Sequence, residues 1–114
     1  MGIYVIFKLL GGEKIMNKIY NIKNKELMTI ILGRDGGKNT IKILDELLKE
    51  PQNAHQLSKK LDLNYNTILH HIEIITEYDY ITMNTLKKKT FYYPSNKLIN
   101  NIDEYEIIKK YVKK

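Results

Sequence analysis

The stretch from Asn53 to Ile75, NAHQLSKKLDLNYNTILHHIEII, constrains this chain more than any other part of it. Ala54, Leu57 and Leu61 lie on one stripe of helical period, and Ile68, Ile72 and Ile75 recur at i, i+4, i+7 on a second. Only Asp62-Leu63-Asn64 separates the two stripes. Asn53 and Asn64 are placed to cap the helices, and Asp62 tolerates the left-handed backbone that so tight a turn demands. The pattern predicts a helix over about 54–61, a turn, and a second helix over about 64–77. Helices joined this closely must cross, with small or apolar residues at the crossing and one face of the second helix left free.

The flanks supply what such a pair needs to bury its stripes. Lys25–Leu32 sets Leu27, Ile30, Ile31 and Leu32 for a short amphipathic helix that Gly33 would stop. Gly33-Arg34-Asp35-Gly36-Gly37 reads as a turn, and it lacks both the glycine spacing and the Lys-Ser/Thr ending of a phosphate-cradling loop. A helix from Lys38 or Asn39 to about Glu50 carries Ile41, Leu44, Leu47 and Leu48 on one face and ends at Pro51. After the central pair, Tyr80–Asn84 and Thr90–Tyr93 are rich in β-formers, flank the polar connection Thr85–Lys89, and predict a hairpin. Tyr92 and Tyr93 alternate, so one should face inward. A last helix, about Asn101–Val112, has acids in its first turn and lysines in its last, as the helix dipole favours.

Three helices followed by a two-stranded β wing, with flanking helices at both ends, make a mainly α (α+β) winged helix-turn-helix. The expected organisation is an N-terminal extension over residues 1–24, the winged domain over 25–97, and a C-terminal helical segment over 98–114. Within the extension, Ile3–Leu10 lacks the basic start and small-residue cleavage site of a secretory signal. Gly11-Gly12-Glu13 can be encoded by a ribosome-binding sequence at a suitable distance before Met16, which suggests residues 1–15 as an untranslated leader. An ordinary N-terminal strand is the alternative.

Along these elements the chain resembles the ArsR-like winged-helix transcription regulators, especially the small prokaryotic members, over about Glu26–Pro94. TIKILDELL looks like the family's first core helix, and NTILHHIEIITEYDYI like its recognition helix and first wing strand, written S-T-V-S-x-H-L-x-x-L-x-x-x-G-L-I. Ile68 takes the Val position, His71 the His, Ile72 and Ile75 the leucines. Asp79 stands for the usual glycine, Tyr80 for a leucine, and Leu69 for a serine that often touches DNA. The resemblance implies double-stranded DNA as partner, a homodimer reading two half-sites, and a cytoplasmic regulator that acts by repression.

With the three isoleucines turned inward, the second helix presents Tyr65, Asn66, Leu69, His70 and Glu73. Asn66 can pair bidentately with adenine, His70 can donate to guanine or a phosphate, and Leu69 can pack on a thymine methyl. Thr67 suits a phosphate at the helix start. Lys87, Lys88 and Lys89 at the wing tip and Lys59 on the preceding helix are the candidate backbone contacts. His71 reads as a packing residue that hydrogen-bonds within the domain. Ile102, Tyr105, Ile108 and Val112, together with Leu27 and Ile31, are the candidate dimerisation residues.

Charge supports a polyanionic partner only locally. The 114-residue chain carries a net +6, but residues 39–97 hold eight basic against seven acidic groups, a net of +1. That balance keeps a second reading open, a winged helix used for protein–protein contact in a transcription or replication assembly. No cysteine is present, which removes disulfides and thiolate chemistry together. His70 and His71 are adjacent and diverge by about 100° on a helix, so they cannot chelate one ion. No metal, no cofactor and no catalysis are expected, and no run approaches the roughly 20 apolar residues of a membrane span.

Overall fold

The computed structural model describes residues 25–112. The proposed leader, the N-terminal strand alternative and the rest of the 1–24 extension lie outside these residues. The described elements are α1 (Lys25–Leu32), α2 (Gly37–Lys49), α3 (Ala54–Leu61), α4 (Tyr65–Glu77), β1 (Ile81–Leu86), β2 (Lys89–Pro94), α5 (Asn96–Asn100) and α6 (Ile102–Lys109). The predicted order holds, and every long element lies within a few residues of its expected bounds.

The α3–α4 pair is built as its caps require. Asn53 Oδ1 accepts from the Gln56 amide and Gln56 Oε1 accepts from the Asn53 amide, both at 2.8 Å, a reciprocal capping box. Asp62 closes α3 in the left-handed region at φ 53°, and its successor's amide bonds back to the Ser58 carbonyl at 3.2 Å. Asn64 accepts from the Asn66 amide at 2.8 Å and opens α4. At the far end of α4, Asp79 adopts φ 65° where the resembling family has glycine. Its amide bonds to the Thr76 carbonyl at 2.9 Å, and its own carbonyl accepts from the Ser95 hydroxyl. Aspartate thus takes the left-handed position after both α3 and α4.

One core unites the described elements. Leu27, Ile30 and Ile31 of α1, Ile43, Leu44 and Leu47 of α2, Leu57 of α3, and Ile68, Ile72 and Ile75 of α4 are buried in it. Tyr80, Ile81 and Tyr92 bring in the hairpin, and Leu98, Tyr105 and Ile108 the C-terminal helices. Of the paired wing tyrosines, Tyr92 is the inward one. The α1–α2 junction depends on Gly37: a Cβ there would overlap the Ile31 carbonyl oxygen. The glycine lets α2 start directly against the end of α1, where a longer turn was expected.

Three other features differ from the sequence expectation. The wing connection is not a five-residue loop; β1 and β2 pair in register from Ile81↔Pro94 to Leu86↔Lys89, leaving only Lys87-Lys88 as a two-residue turn. The wing is also tied to the loop before α3. Gln52 and Tyr92 exchange backbone hydrogen bonds of 3.2 and 2.8 Å, a one-residue third strand, while Gln52 Nε2 donates to the Glu46 carbonyl at 2.9 Å. Finally, the last helix is shorter than expected and is preceded by the separate turn α5, capped by Ser95. Beyond α6, Tyr111 and Val112 bond three residues back, which tightens and ends the helix.

The C-terminal segment is continuous with the winged domain's core. Leu27, Ile31, Tyr105 and Ile108, expected to face a second subunit, are each no more than 2% exposed within one chain. Tyr105 reaches across to α2, donating to Asp45 Oδ1 at 2.7 Å, and Lys109 Nζ joins the same carboxylate at 3.3 Å. Among the described residues no helix is long and apolar enough to cross a membrane.

Candidate nucleic-acid interface

The burial of α4 divides its residues cleanly. Ile68, Ile72, Ile75 and His71 are buried, whereas Tyr65, Asn66, His70 and Glu73 are exposed and Thr67 and Leu69 half-exposed. Leu69 packs its inner side against the core, which leaves less of it for a thymine methyl than the sequence suggested. Asn66 and His70, four residues apart, lie one above the other on the free face.

His71 holds this helix in place. Its Nδ1 lies 3.0 Å from Arg34 Nη2. A guanidinium only donates, so Nδ1 accepts and the imidazole is the neutral tautomer with its proton on Nε2. Arg34 also donates to the Ile30 carbonyl at 3.1 Å and to Thr40 Oγ1 at 2.6 Å. Burial holds the His71 pKa below its usual value, and the charges of Arg34 and His70 act in the same direction. The α1–α2 loop, α2 and α4 are therefore joined at one polar point.

The lysines fall into two populations. Lys49, Lys60, Lys97 and Lys109 are paired with Glu46, Glu50, Glu26, Asp45 and Glu106 at 2.9–3.6 Å. Lys59, Lys87, Lys88 and Lys89 are exposed, and no ion pair engages them among the described residues; the same holds for Lys38 and Lys42 on α2 and Lys110 after α6, on a separate surface. Of the seven acids in residues 39–97, Asp45, Glu46 and Glu50 are spent on lysines, while Glu73 stands on the exposed face of α4. Lys87 and Lys88 both sit at positive φ, 49° and 68°, the geometry of a type I′ turn that asparagine and glycine normally supply. Leu86 beside them is 58% exposed.

Sequence reasoning missed His55. Its ring stacks on Tyr65 with centroids 4.4 Å apart and planes inclined by 16°, joining the starts of α3 and α4. The two residues are ten apart, and only the fold brings them together. A cleft of about 490 Å³ runs from this stack to the wing, lined among others by Asn53, Lys88, Lys89 and Thr90. A second, of about 500 Å³, lies alongside and adds Gln56, Ser58 and Lys59. Together they connect Lys59, Lys88 and Lys89 to Tyr65 as one surface. Among the described residues no three His, Asp or Glu side chains converge to hold a metal.

An exposed helix flanked by an uncompensated basic hairpin, behind a capped helix-turn-helix, is a recognisable architecture. The fold is a winged helix-turn-helix. It is shared with a transcriptional regulator HlyU from Vibrio vulnificus CMCP6 at TM-score 0.58 and 13% identity, covering 85% of this chain and 93% of that one. Reduced HlyU from Vibrio cholerae N16961 matches at TM-score 0.56 and 16% identity over 80% of this chain and 86% of that one. A second HlyU structure from Vibrio cholerae N16961 matches at TM-score 0.55 and 17% identity over 72% and 90%. No family model matches the sequence, and no curated protein matches it. The shared property is thus the backbone architecture, at identities too low to carry individual side-chain roles across.

Proposed function

We propose that this chain is a sequence-specific double-stranded DNA-binding regulator of transcription, with α4 entering the major groove and the wing lying over the adjacent backbone and minor groove. The observation that carries the reading is the free face of α4, Tyr65, Asn66 and His70, set beside four lysines without ion pairs on a winged helix-turn-helix frame. Asn66 reads adenine, His70 reads guanine or a phosphate, and Thr67 anchors a phosphate at the start of α4. Lys59, Lys87, Lys88 and Lys89 supply the salt-sensitive backbone contacts. That the structural neighbours include a protein described as a transcriptional regulator supports this assignment.

The active species in this reading is a homodimer that occupies two half-sites about one helical turn apart and represses by occlusion. Ile99, 52% exposed, and the half-buried Ile102, Ile107 and Val112 are apolar residues that the C-terminal segment leaves for such a contact. Tyr105, Ile108, Leu27 and Ile31 would back this face from within the core. An Ile99→Lys, Ile102→Lys double variant is expected to scatter light as a folded monomer.

Selection of bound duplexes from a random pool, followed by gel shifts across salt, tests the function. A preferred sequence should emerge, and alanine at Lys87, Lys88 and Lys89 together should lower the slope of log affinity against log salt by about 2 to 3. Absence of duplex binding at every salt concentration would favour a protein partner for the same face.

A further inference from the structure

We propose that the stacked pair His55–Tyr65 and the wing-tip residue Lys89 form a clamp for a single backbone phosphate of DNA, with His55 as the ligand and Tyr65 as the residue that positions it. This rests on the DNA-binding reading and adds to it a site that no sequence motif indicates. A helix in the major groove and a hairpin over the neighbouring minor groove must straddle the sugar–phosphate strand that divides those grooves. On this chain the space between recognition helix and wing is the pair of adjoining clefts described above. Asn53, His55 and Lys89 line both of them, and no acidic side chain lines either. The strand that divides the two grooves therefore passes His55.

The chemistry of the pair suits an anion. His55 is exposed, and no hydrogen bond within the described residues occupies either ring nitrogen, so an N–H is free to donate. Stacking at 4.4 Å and 16° fixes the plane of that ring against Tyr65, which lowers the rotamer freedom that a phosphate contact would otherwise have to remove. Lys88 and Lys89 line the same cleft and supply charge. Tyr65 is accordingly a positioning residue: its ring face is occupied by His55, and it is only 38% exposed.

A double-mutant cycle between protein and DNA tests the clamp. The probe is a duplex obtained by random-pool selection with the wild-type protein, carrying a neutral methylphosphonate at one backbone position at a time. For wild type, one position near the edge of the recognition-helix footprint is expected to cost about tenfold in affinity. His55→Phe keeps the stack and removes the donor. It should bind the unmodified duplex about fivefold more weakly, and the same methylphosphonate should cost it no more than about twofold. Tyr65→Leu, which removes the stack, should weaken the same phosphate contact, while Tyr65→Phe should retain it. Equal methylphosphonate losses in wild type and His55→Phe at every position would overturn the clamp and leave the DNA reading standing. If the wild type selects no duplex, the DNA reading fails and the clamp falls with it.

Discussion

Arg34 and His71 meet inside the domain, Nη2 to Nδ1 at 3.0 Å, and the contact exists only while the imidazole is neutral. His71 belongs to α4 and Arg34 to the loop between α1 and α2, so the placement of α4 depends on a protonation state. The folded-state pKa of His71 lies below its ordinary value, through burial first and then through Arg34 and His70. An unfolded chain takes up this proton at higher pH than the folded one does. The stabilisation is therefore complete above the ordinary histidine pKa of about 6.5 and is lost as pH falls toward the folded value. Thermal unfolding should show the melting temperature declining between about pH 7 and pH 5. His71→Gln, which keeps an acceptor but does not titrate, should be less stable at pH 7 and lose less on acidification. Parallel pH profiles for the two proteins would contradict this.

The wing turn makes a prediction of opposite sign for stability and binding. Lys87 and Lys88 both occupy left-handed backbone, which lysine enters at a cost and Asn-Gly does not. Lys87→Asn with Lys88→Gly should raise stability by about 1 kcal/mol in denaturant titration. The same change removes two cations from the wing tip, so affinity for duplex DNA should fall and its salt slope flatten. A protein that is both more stable and equally tight-binding would show that these lysines are spectators.

Gly37 is expected to tolerate no side chain. A Cβ at this position would overlap the Ile31 carbonyl oxygen, a backbone atom that cannot move without shifting the end of α1. Gly37→Ala should destabilise the domain by on the order of 3 kcal/mol in spite of alanine's better helix propensity. A neutral or stabilising outcome in equilibrium unfolding would place the α1–α2 junction elsewhere.

Which of these features could be read from the sequence follows from how local their causes are. The α4 stripe, the caps at Asn53 and Asn64, the turn at Asp62 and the inward role of His71 are set by neighbours within one or two helical turns, and all were legible. The turn Lys87-Lys88 was not, because its residues oppose the backbone geometry they adopt, and register with the buried Tyr92 decides the matter. The helix α5 is too short to show a period, and its Ser95 cap is its main sign. The Gln52–Tyr92 bridge and the His55–Tyr65 stack are tertiary, joining residues whose types give no hint of the partner. The stripe of α6 was legible as apolar, but not its destination: Tyr105 and Ile108 complete the chain's own core, through a hydroxyl bound to Asp45 that a helical wheel does not reveal.

The central claim is that the outer face of α4 and the wing together meet duplex DNA. The most direct test is to titrate isotope-labelled protein with a selected duplex and follow every backbone amide by NMR. The largest shifts should cluster at Tyr65–Glu73, at His55 and at Leu86–Thr90, with little change along α5 and α6. Shifts centred on α5 and α6, or none at saturating duplex, would contradict the account.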